Sequence, residues 1–103
     1  MNQLISKCQK ALITVDKYYD SALQHVRSEL IIDGKLSRDN LDKEQHAAHG
    51  LSWIAAYRAT LKEMVSWAEN LDKGSSFNET EQLMLQIIFS EYCAQIKSGI
   101  PIS

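Results

Sequence analysis

Residues 41–71 read LDKEQHAAHGLSWIAAYRATLKEMVSWAENL, a stretch without proline in which apolar residues recur at steps of four and three. These steps return to one face of an α-helix, so the stretch predicts a long helix with an unbroken inward stripe. The stripe is formed by Gly50, Ile54, Tyr57, Leu61, Met64, Ala68 and Leu71. A second row, Trp53, Thr60 and Trp67, follows its edge at intervals of seven residues. Because two rows are wider than a single coiled-coil contact, we expect this helix to pack against more than one neighbour.

The chain before this stretch predicts another amphipathic helix, over about residues 2–32. Its apolar positions are Leu4, Cys8, Ala11, Val15, Tyr18, Ala22, Val26 and Leu30. The helix should end at Asp33-Gly34, because glycine adopts the left-handed conformation that closes a helix C-terminus. After a short connection, Asp39 or Asn40 would cap the second helix, which covers about residues 41–72. A short connection makes the two helices antiparallel neighbours.

The third predicted helix, about residues 79–98, is the most apolar of the three. Asn78 followed by Glu81 has the form of a capping box at its start, and Gly99 with Pro101 would end it. Its inward stripe is Leu85, Ile88, Phe89, Tyr92 and Ile96, flanked by Met84, Ile87 and Cys93. We expect this helix to lie in the groove of the hairpin that the first two helices form, with Ile88 at its centre.

Composition restricts the protein class. A chain of 103 residues with 45% hydrophobic residues, four glycines and one proline indicates one domain, residues 1–103, with an all-α fold. The expected architecture is an antiparallel bundle of three helices, a long hairpin plus a third helix. A net charge of -2 with dispersed lysine and arginine disfavours nucleic acid as a partner. No apolar run approaches the roughly twenty residues that span a bilayer, and the first residues lack secretory-signal features, so we expect a cytoplasmic protein without membrane contact.

A metal site is one candidate for chemistry in the second helix. His46 and His49 lie three residues apart, with Asp42 one turn earlier. Bundle metal sites built from carboxylates use Glu-x-x-His motifs, but Lys43 stands where that glutamate is required. We therefore interpret both histidines as surface or helix-contact residues and expect no metal.

A polar pocket is a second candidate, formed by Tyr57, Arg58, Glu63 and Glu91. We favour the alternative that the stem of Arg58 covers the core while its guanidinium lies at the rim. Cys8 and Cys93 have no partner at a spacing that suggests nucleophilic catalysis, and we expect both to be reduced core residues. No phosphate-cradling glycine loop is present, so we also expect the isolated chain to bind no flavin.

The unequal helix lengths predict an interaction face. At 1.5 Å per residue the first two helices would be about 45 Å long and the third about 30 Å, so the third cannot cover the hairpin along its whole length. The apolar residues left near the first turn, together with the tryptophan edge, form the expected face: Leu30, Ile31, Leu36, Leu41, Trp53 and Trp67. A second copy of the chain in a two-fold dimer, or another domain, would cover it.

Two segments resemble the N-terminal extension of methylsuccinyl-CoA dehydrogenases, which belong to the flavin-dependent acyl-CoA dehydrogenase superfamily. They are HAAHGLSWIAAYRATLKEMVSWAENL, residues 46–71, and FNETEQLMLQIIFSEYCAQIKSGIPIS, residues 77–103. The strings that carry the resemblance are Ala47-Ala48-His49-Gly50-Leu51, Trp53, Ala55 with Tyr57, Trp67-Ala68, Glu81-Gln82-Leu83, Glu91-Tyr92 and Gly99-Ile100-Pro101. They lie within residues 46–103, a little over half of the chain, and the first helix matches only in being amphipathic.

The resemblance implies a non-catalytic helical domain of a flavoenzyme that oxidises a branched acyl-CoA to its enoyl form. In that superfamily FAD, the acyl-CoA cleft and the catalytic glutamate belong to the dehydrogenase body, so no catalytic or cofactor-binding residue is implied in this chain. Its role would be packing on the body or assembly of the oligomer. The alternative is a stand-alone helical adaptor that binds another protein through its apolar stripe.

Overall fold

The computed structural model describes residues 2–97 and is 85% helical, which confirms the all-α fold class. In chain order the elements are α1 (Gln3–Leu30), β1 (Ile31–Ile32), β2 (Lys35–Leu36), α2 (Arg38–Lys43), α3 (Gln45–Lys73) and α4 (Glu79–Lys97). Three long helices thus carry the fold, and a small β-ribbon and a short helix join the first two. The expected helix end at residue 98 and the stop at Gly99 and Pro101 lie outside the described residues.

The turn at Asp33-Gly34 closes a two-stranded ribbon. Ile31 pairs with Leu36 and Ile32 with Lys35 in antiparallel register. Both turn residues have positive φ, 53° at Asp33 and 77° at Gly34, as a type I′ hairpin turn requires. The sequence located the turn correctly, but helix α1 ends at Leu30 because the next two residues pair as a strand.

The connection to α3, the second long helix, is capped differently from the prediction. Ser37, rather than Asp39 or Asn40, is the N-cap of α2, and its side-chain oxygen accepts from the Asn40 N–H at 3.3 Å. The Asn40 side chain instead donates to the Glu29 carbonyl at 2.7 Å and ties α2 to the end of α1. A break at Glu44 separates α2 from α3, so the long helix starts at Gln45.

The core lies between α1, α3 and α4. Helices α1 and α3 are antiparallel, because Gln9 bonds to Glu69 while Asp16 pairs with Arg58. One fully buried large side chain comes from each long helix: Ile5, Leu61 and Leu85. Buried residues around them are Cys8, Val15, Ile54, Val65, Ala68, Phe77, Phe89 and Ile96. The periodic rows of the sequence therefore supply most of the core.

Helix α4 is less enclosed than its composition predicts. Leu83, Met84 and Ile87 are 52%, 46% and 64% exposed, and Ile88 is only half-buried. The expectation that α4 is the most surrounded helix, with Ile88 at its centre, is therefore wrong. Helix α4 buries the face that carries Leu85 and Phe89 against the hairpin and turns its other apolar face outward.

Candidate interaction surfaces

The ribbon end of the hairpin is apolar and open. Ile31, Ile32 and Leu36 are 42%, 48% and 59% exposed, whereas Leu30 and Leu41 are half-buried. We call these five residues the hairpin-end surface. The 19 residues of α4 extend about 28 Å, whereas the molecule is 53 Å long, so α4 cannot cover the hairpin along its whole length. Four members of the predicted interaction face thus meet here, and Ile32 joins them through the ribbon that sequence periodicity did not reveal.

The two tryptophans of that predicted face have different environments. Trp53 is 42% exposed, and its indole N–H donates to His49 Nε2 at 3.0 Å. The ring of Tyr57 lies 5.8 Å from that of Trp53 and stacks on Tyr92 at 4.7 Å. Trp67 is partly buried and packs against the core. Trp53 therefore belongs to the surface, and Trp67 contributes mainly to packing.

Residues 2–97 contain neither a metal cluster nor a membrane-spanning helix. No group of three histidine, cysteine or carboxylate side chains in this part of the chain is placed to hold a metal ion. His46 is exposed, and the Nε2 atom of His49 already accepts from Trp53. None of the described helices combines the length and apolar character needed to cross a bilayer.

The polar residues near Arg58 join helices rather than form a cleft. Arg58 Nε donates to the Asp16 carboxylate, and Lys62 Nζ lies 3.7 Å from the same carboxylate. The guanidinium carbon of Arg58 also lies 4.9 Å from the centre of the Tyr19 ring, a cation–π distance. The hydrogen bond to Asp16 raises the pKa of Arg58 above its ordinary value. This cluster links α3 to α1.

The other members of the predicted polar pocket are not part of that cluster. Tyr57 stacks on Tyr92, while Glu63 and Glu91 are exposed. In the described residues Arg58 thus bonds to Asp16 and Tyr57 stacks on Tyr92, and neither forms a hydrogen bond or ion pair with Glu63 or Glu91.

An apolar groove runs between α1 and α4. Its deeper section encloses about 510 Å³ and is lined by Ala11, Thr14, Val15, Tyr18, Cys93, Ile96 and Lys97. An adjoining section of about 230 Å³ shares Ala11 and Cys93 and continues past Leu4, Cys8 and Phe89. Sequence reasoning missed this groove, although the small residues Ala11, Cys8 and Cys93 in the predicted apolar stripes were an available signal.

The two cysteines of the groove are free thiols with low reactivity. Burial, with the neighbouring Cys93 as a smaller cause, raises the pKa of Cys8 to about 11. Burial also raises the pKa of Cys93. Since the thiolate is the nucleophile, both groups are poorly suited to covalent catalysis at neutral pH.

Comparison with known proteins identifies a relative along the whole chain. No family model matches the sequence. All 103 residues align at 41% identity with (2S)-methylsuccinyl-CoA dehydrogenase of Cereibacter sphaeroides, and the chain spans 19% of that protein's length. The similarity includes α1, which the motifs alone did not connect to the family. The whole chain is thus similar to the N-terminal part of an acyl-CoA dehydrogenase-like protein, which confirms the resemblance carried by its motifs.

Proposed function

We propose that this chain is a non-catalytic N-terminal helical domain of an acyl-CoA dehydrogenase-like flavoenzyme, and that it serves packing or oligomer assembly in the cytoplasm. The observation that carries the proposal is the 41% identity over the full chain to the N-terminal part of (2S)-methylsuccinyl-CoA dehydrogenase. FAD and the acyl-CoA would be bound by the dehydrogenase body, which corresponds to the rest of the relative's length. The described residues supply no competing catalytic constellation.

The surface chemistry supports a packing role. Ile31, Ile32 and Leu36 expose large aliphatic side chains on one end of the molecule. Contiguous apolar surface of this kind is uncommon on monomers, because burying it against a partner is favourable by about 25 cal/mol per Å². The hairpin-end surface would therefore meet the dehydrogenase body or a second copy in a two-fold homodimer.

A stand-alone adaptor is the second candidate. The observation that favours it is the second exposed apolar set, Leu83, Met84 and Ile87, on the outer face of α4. An adaptor would present such a face to a separate protein. Reading the natural coding sequence beyond the Ser103 codon separates the candidates, since the proposed domain requires a dehydrogenase body in the same frame or encoded beside it.

A chimaera tests the proposal directly. The matching N-terminal part of the Cereibacter sphaeroides enzyme is deleted, or replaced by this chain. Melting temperature, the number of subunits from sedimentation and FAD content are then compared with those of the intact enzyme. We expect deletion to lower the melting temperature or change the number of subunits, and replacement to restore both. If all three proteins have the same stability, number of subunits and flavin content, a packing or assembly role is contradicted.

Point variants of the chimaera locate the contact. Leu36→Glu introduces a charge into the hairpin-end surface, where burial would leave it unpaired. Ile13→Glu is the matched control, because Ile13 is similarly exposed at 55% but lies on α1 away from the ribbon. We expect Leu36→Glu alone to lower the melting temperature or dissociate the oligomer. Equal effects of the two variants would remove the hairpin-end surface from the proposal.

A further inference from the structure

The walls of the α1–α4 groove are two facing heptad rows. Helix α1 contributes Leu4, Cys8, Ala11, Val15 and Tyr18, at steps of four, three, four and three. Helix α4 contributes Phe89, Cys93 and Ile96, at steps of four and three. The core residues Cys8, Val15, Phe89 and Ile96 form the buried floor of the groove, whereas Leu4, Ala11, Tyr18 and Cys93 are more exposed and line its sides. The more exposed residues at this spacing offer shallow holes to the side chains of another helix.

The dimensions of the groove also suit a helix. From Leu4 to Tyr18 the α1 wall extends for about 21 Å, which corresponds to about four helical turns. Its centre is lined by the small side chains of Ala11, Cys8 and Cys93, so side chains of a partner have room to enter. A fourth helix in this position would cover the open side between α1 and α4 and complete a bundle.

Exposed aliphatic residues widen the α4 side of the groove. Leu83 and Ile87 are 52% and 64% exposed. Residues three apart are neighbours on a helix surface. Leu83 is therefore a neighbour of Gln86, and Ile87 is a neighbour of Ser90. Because Gln86 and Ser90 line the groove, the apolar surface continues from its interior onto the outer shoulder of α4.

The charges at the groove restrict the occupant. Lys7 and Lys97 line it, and no carboxylate belongs to either lining within the described residues. A second copy placed by a two-fold axis would bring the same lysine-bearing walls together, and like charges across an interface disfavour such pairing. A helix with aspartate or glutamate beside its aliphatic face would instead complement these lysines.

We propose that the α1–α4 groove is the docking site for an amphipathic, acid-flanked helix of the dehydrogenase body. The inference rests on the proposed function, which supplies a body in the same enzyme, and it adds the surface and the chemistry of the contact. Aliphatic side chains of the body helix enter between Ala11 and Cys93, and its acidic residues meet Lys7 and Lys97.

Site-specific photo-crosslinking in the full-length chimaera tests this docking. Benzoylphenylalanine is placed at Ser90 on the groove rim, at Leu36 in the hairpin-end surface, and at Ser66 on the exposed face of α3 as a control. Mass spectrometry then identifies the crosslinked peptides. We expect Ser90 to crosslink to a body peptide with aliphatic residues at helical spacing and acidic flanks, and Ser66 to give no such product.

The other outcomes separate the two proposals. A body crosslink from position 36 without one from position 90 overturns the groove docking and leaves the proposed function intact. A crosslink from position 90 to a second copy of the N-terminal domain, or only to residues within its own N-terminal domain, also overturns the groove docking. Absence of a body crosslink from position 90 overturns the groove docking, and absence of any crosslink from position 36, to the body or to a second copy, also overturns the proposed packing or assembly role.

A pair of tryptophan variants gives a second readout in the same chimaera. Ser90→Trp fills the groove, whereas Ser66→Trp places the same side chain on an exposed face of α3. Limited proteolysis measures how often the N-terminal domain separates from the body. We expect Ser90→Trp to accelerate cleavage at the junction by about tenfold, the change that a weakening of 1.4 kcal/mol produces. Equal cleavage rates in both variants would overturn the docking proposal.

Discussion

Replacing Leu85 with alanine tests which face of α4 supports the fold. The Leu85 side chain is fully buried between helices that contribute Ile5 and Leu61 to the same cluster. The substitution removes three carbon atoms, worth about 2.4 kcal/mol at 0.8 kcal/mol for each buried CH₂ group. The remaining cavity adds to this loss, and fully buried Leu→Ala changes cost about 2.7 to 5 kcal/mol. We therefore expect the free energy of unfolding to fall by about 3 to 4 kcal/mol.

Urea unfolding followed by circular dichroism at 222 nm measures this loss in the 103-residue chain. The matched control is Ile87→Ala, two residues away on the same helix but 64% exposed, which should change stability by less than about 0.5 kcal/mol. Ile88→Ala should give an intermediate loss, since its side chain is half-buried. The thermal midpoint should fall by at least about 12 °C for Leu85→Ala.

Equal losses for Leu85→Ala and Ile87→Ala would refute the reasoning. They would mean that α4 is rotated about its axis and buries the face that carries Ile87. A larger loss at Ile88 than at Leu85 would likewise mean that Ile88, as expected from the sequence, lies at the centre of the buried face.

Three further predictions concern charge, pH and metal. Asp16→Asn removes the carboxylate that pairs with Arg58 and Lys62. Because these side chains are partly exposed, the free energy of unfolding, measured by urea titration, should fall by less than about 1 kcal/mol. The loss should be smaller still in 1 M salt, which screens the ion pairs. The pKa of Cys8 is raised from an ordinary 9.0 to about 11, so its contribution to stability is complete below pH 9 and is lost as the pH rises towards 11. The urea midpoint of a Cys8→Ala variant should therefore fall less between pH 9 and pH 11 than the midpoint of the unchanged chain. A chelator should leave the melting temperature unchanged, whereas a marked drop would reveal a structural metal.

Helical periodicity determined much of the fold before any tertiary information. Ile54 and Leu61 in α3 and Cys8 and Val15 in α1 are buried as their spacing predicts, whereas Tyr18 in the α1 row is 46% exposed. Local turn chemistry was equally informative. Asp33-Gly34 forms the predicted turn, because these residue types tolerate positive φ.

Capping and family motifs were also readable in the sequence. The Asn78 N–H donates to Glu81 Oε1 at 3.1 Å, which is one of the two bonds of a capping box. The strings around His49 and Tyr92 indicated the dehydrogenase family, and the whole-chain identity of 41% confirms that resemblance. Motifs of this kind are contiguous in sequence, so they need no knowledge of how the helices pack.

How completely α4 is enclosed was decided by tertiary structure. Periodicity selected the inward stripe that carries Leu85 and Phe89, and both are buried, but it did not show how much of Ile87 and Ile88 the neighbouring helices would cover. Contact with α1 and α3 buries Leu85 and leaves Ile87 exposed. Phe77 is similar: it lies in a connection without a periodic pattern, yet it is 6% exposed because the chain turns back onto the core there.

The pairing of Asp16 with Arg58 and the α1–α4 groove also arise only in the folded chain. A hydrophobic pattern states which side of each helix avoids water, but it does not state the separation or rotation of two helix axes. Those quantities decide that Arg58 reaches Asp16 rather than Glu63, and that Ala11 and Cys93 face each other across an open groove. The sequence by itself therefore determined the helices, their apolar faces and their family resemblance, whereas packing decided which surfaces remain available to a partner.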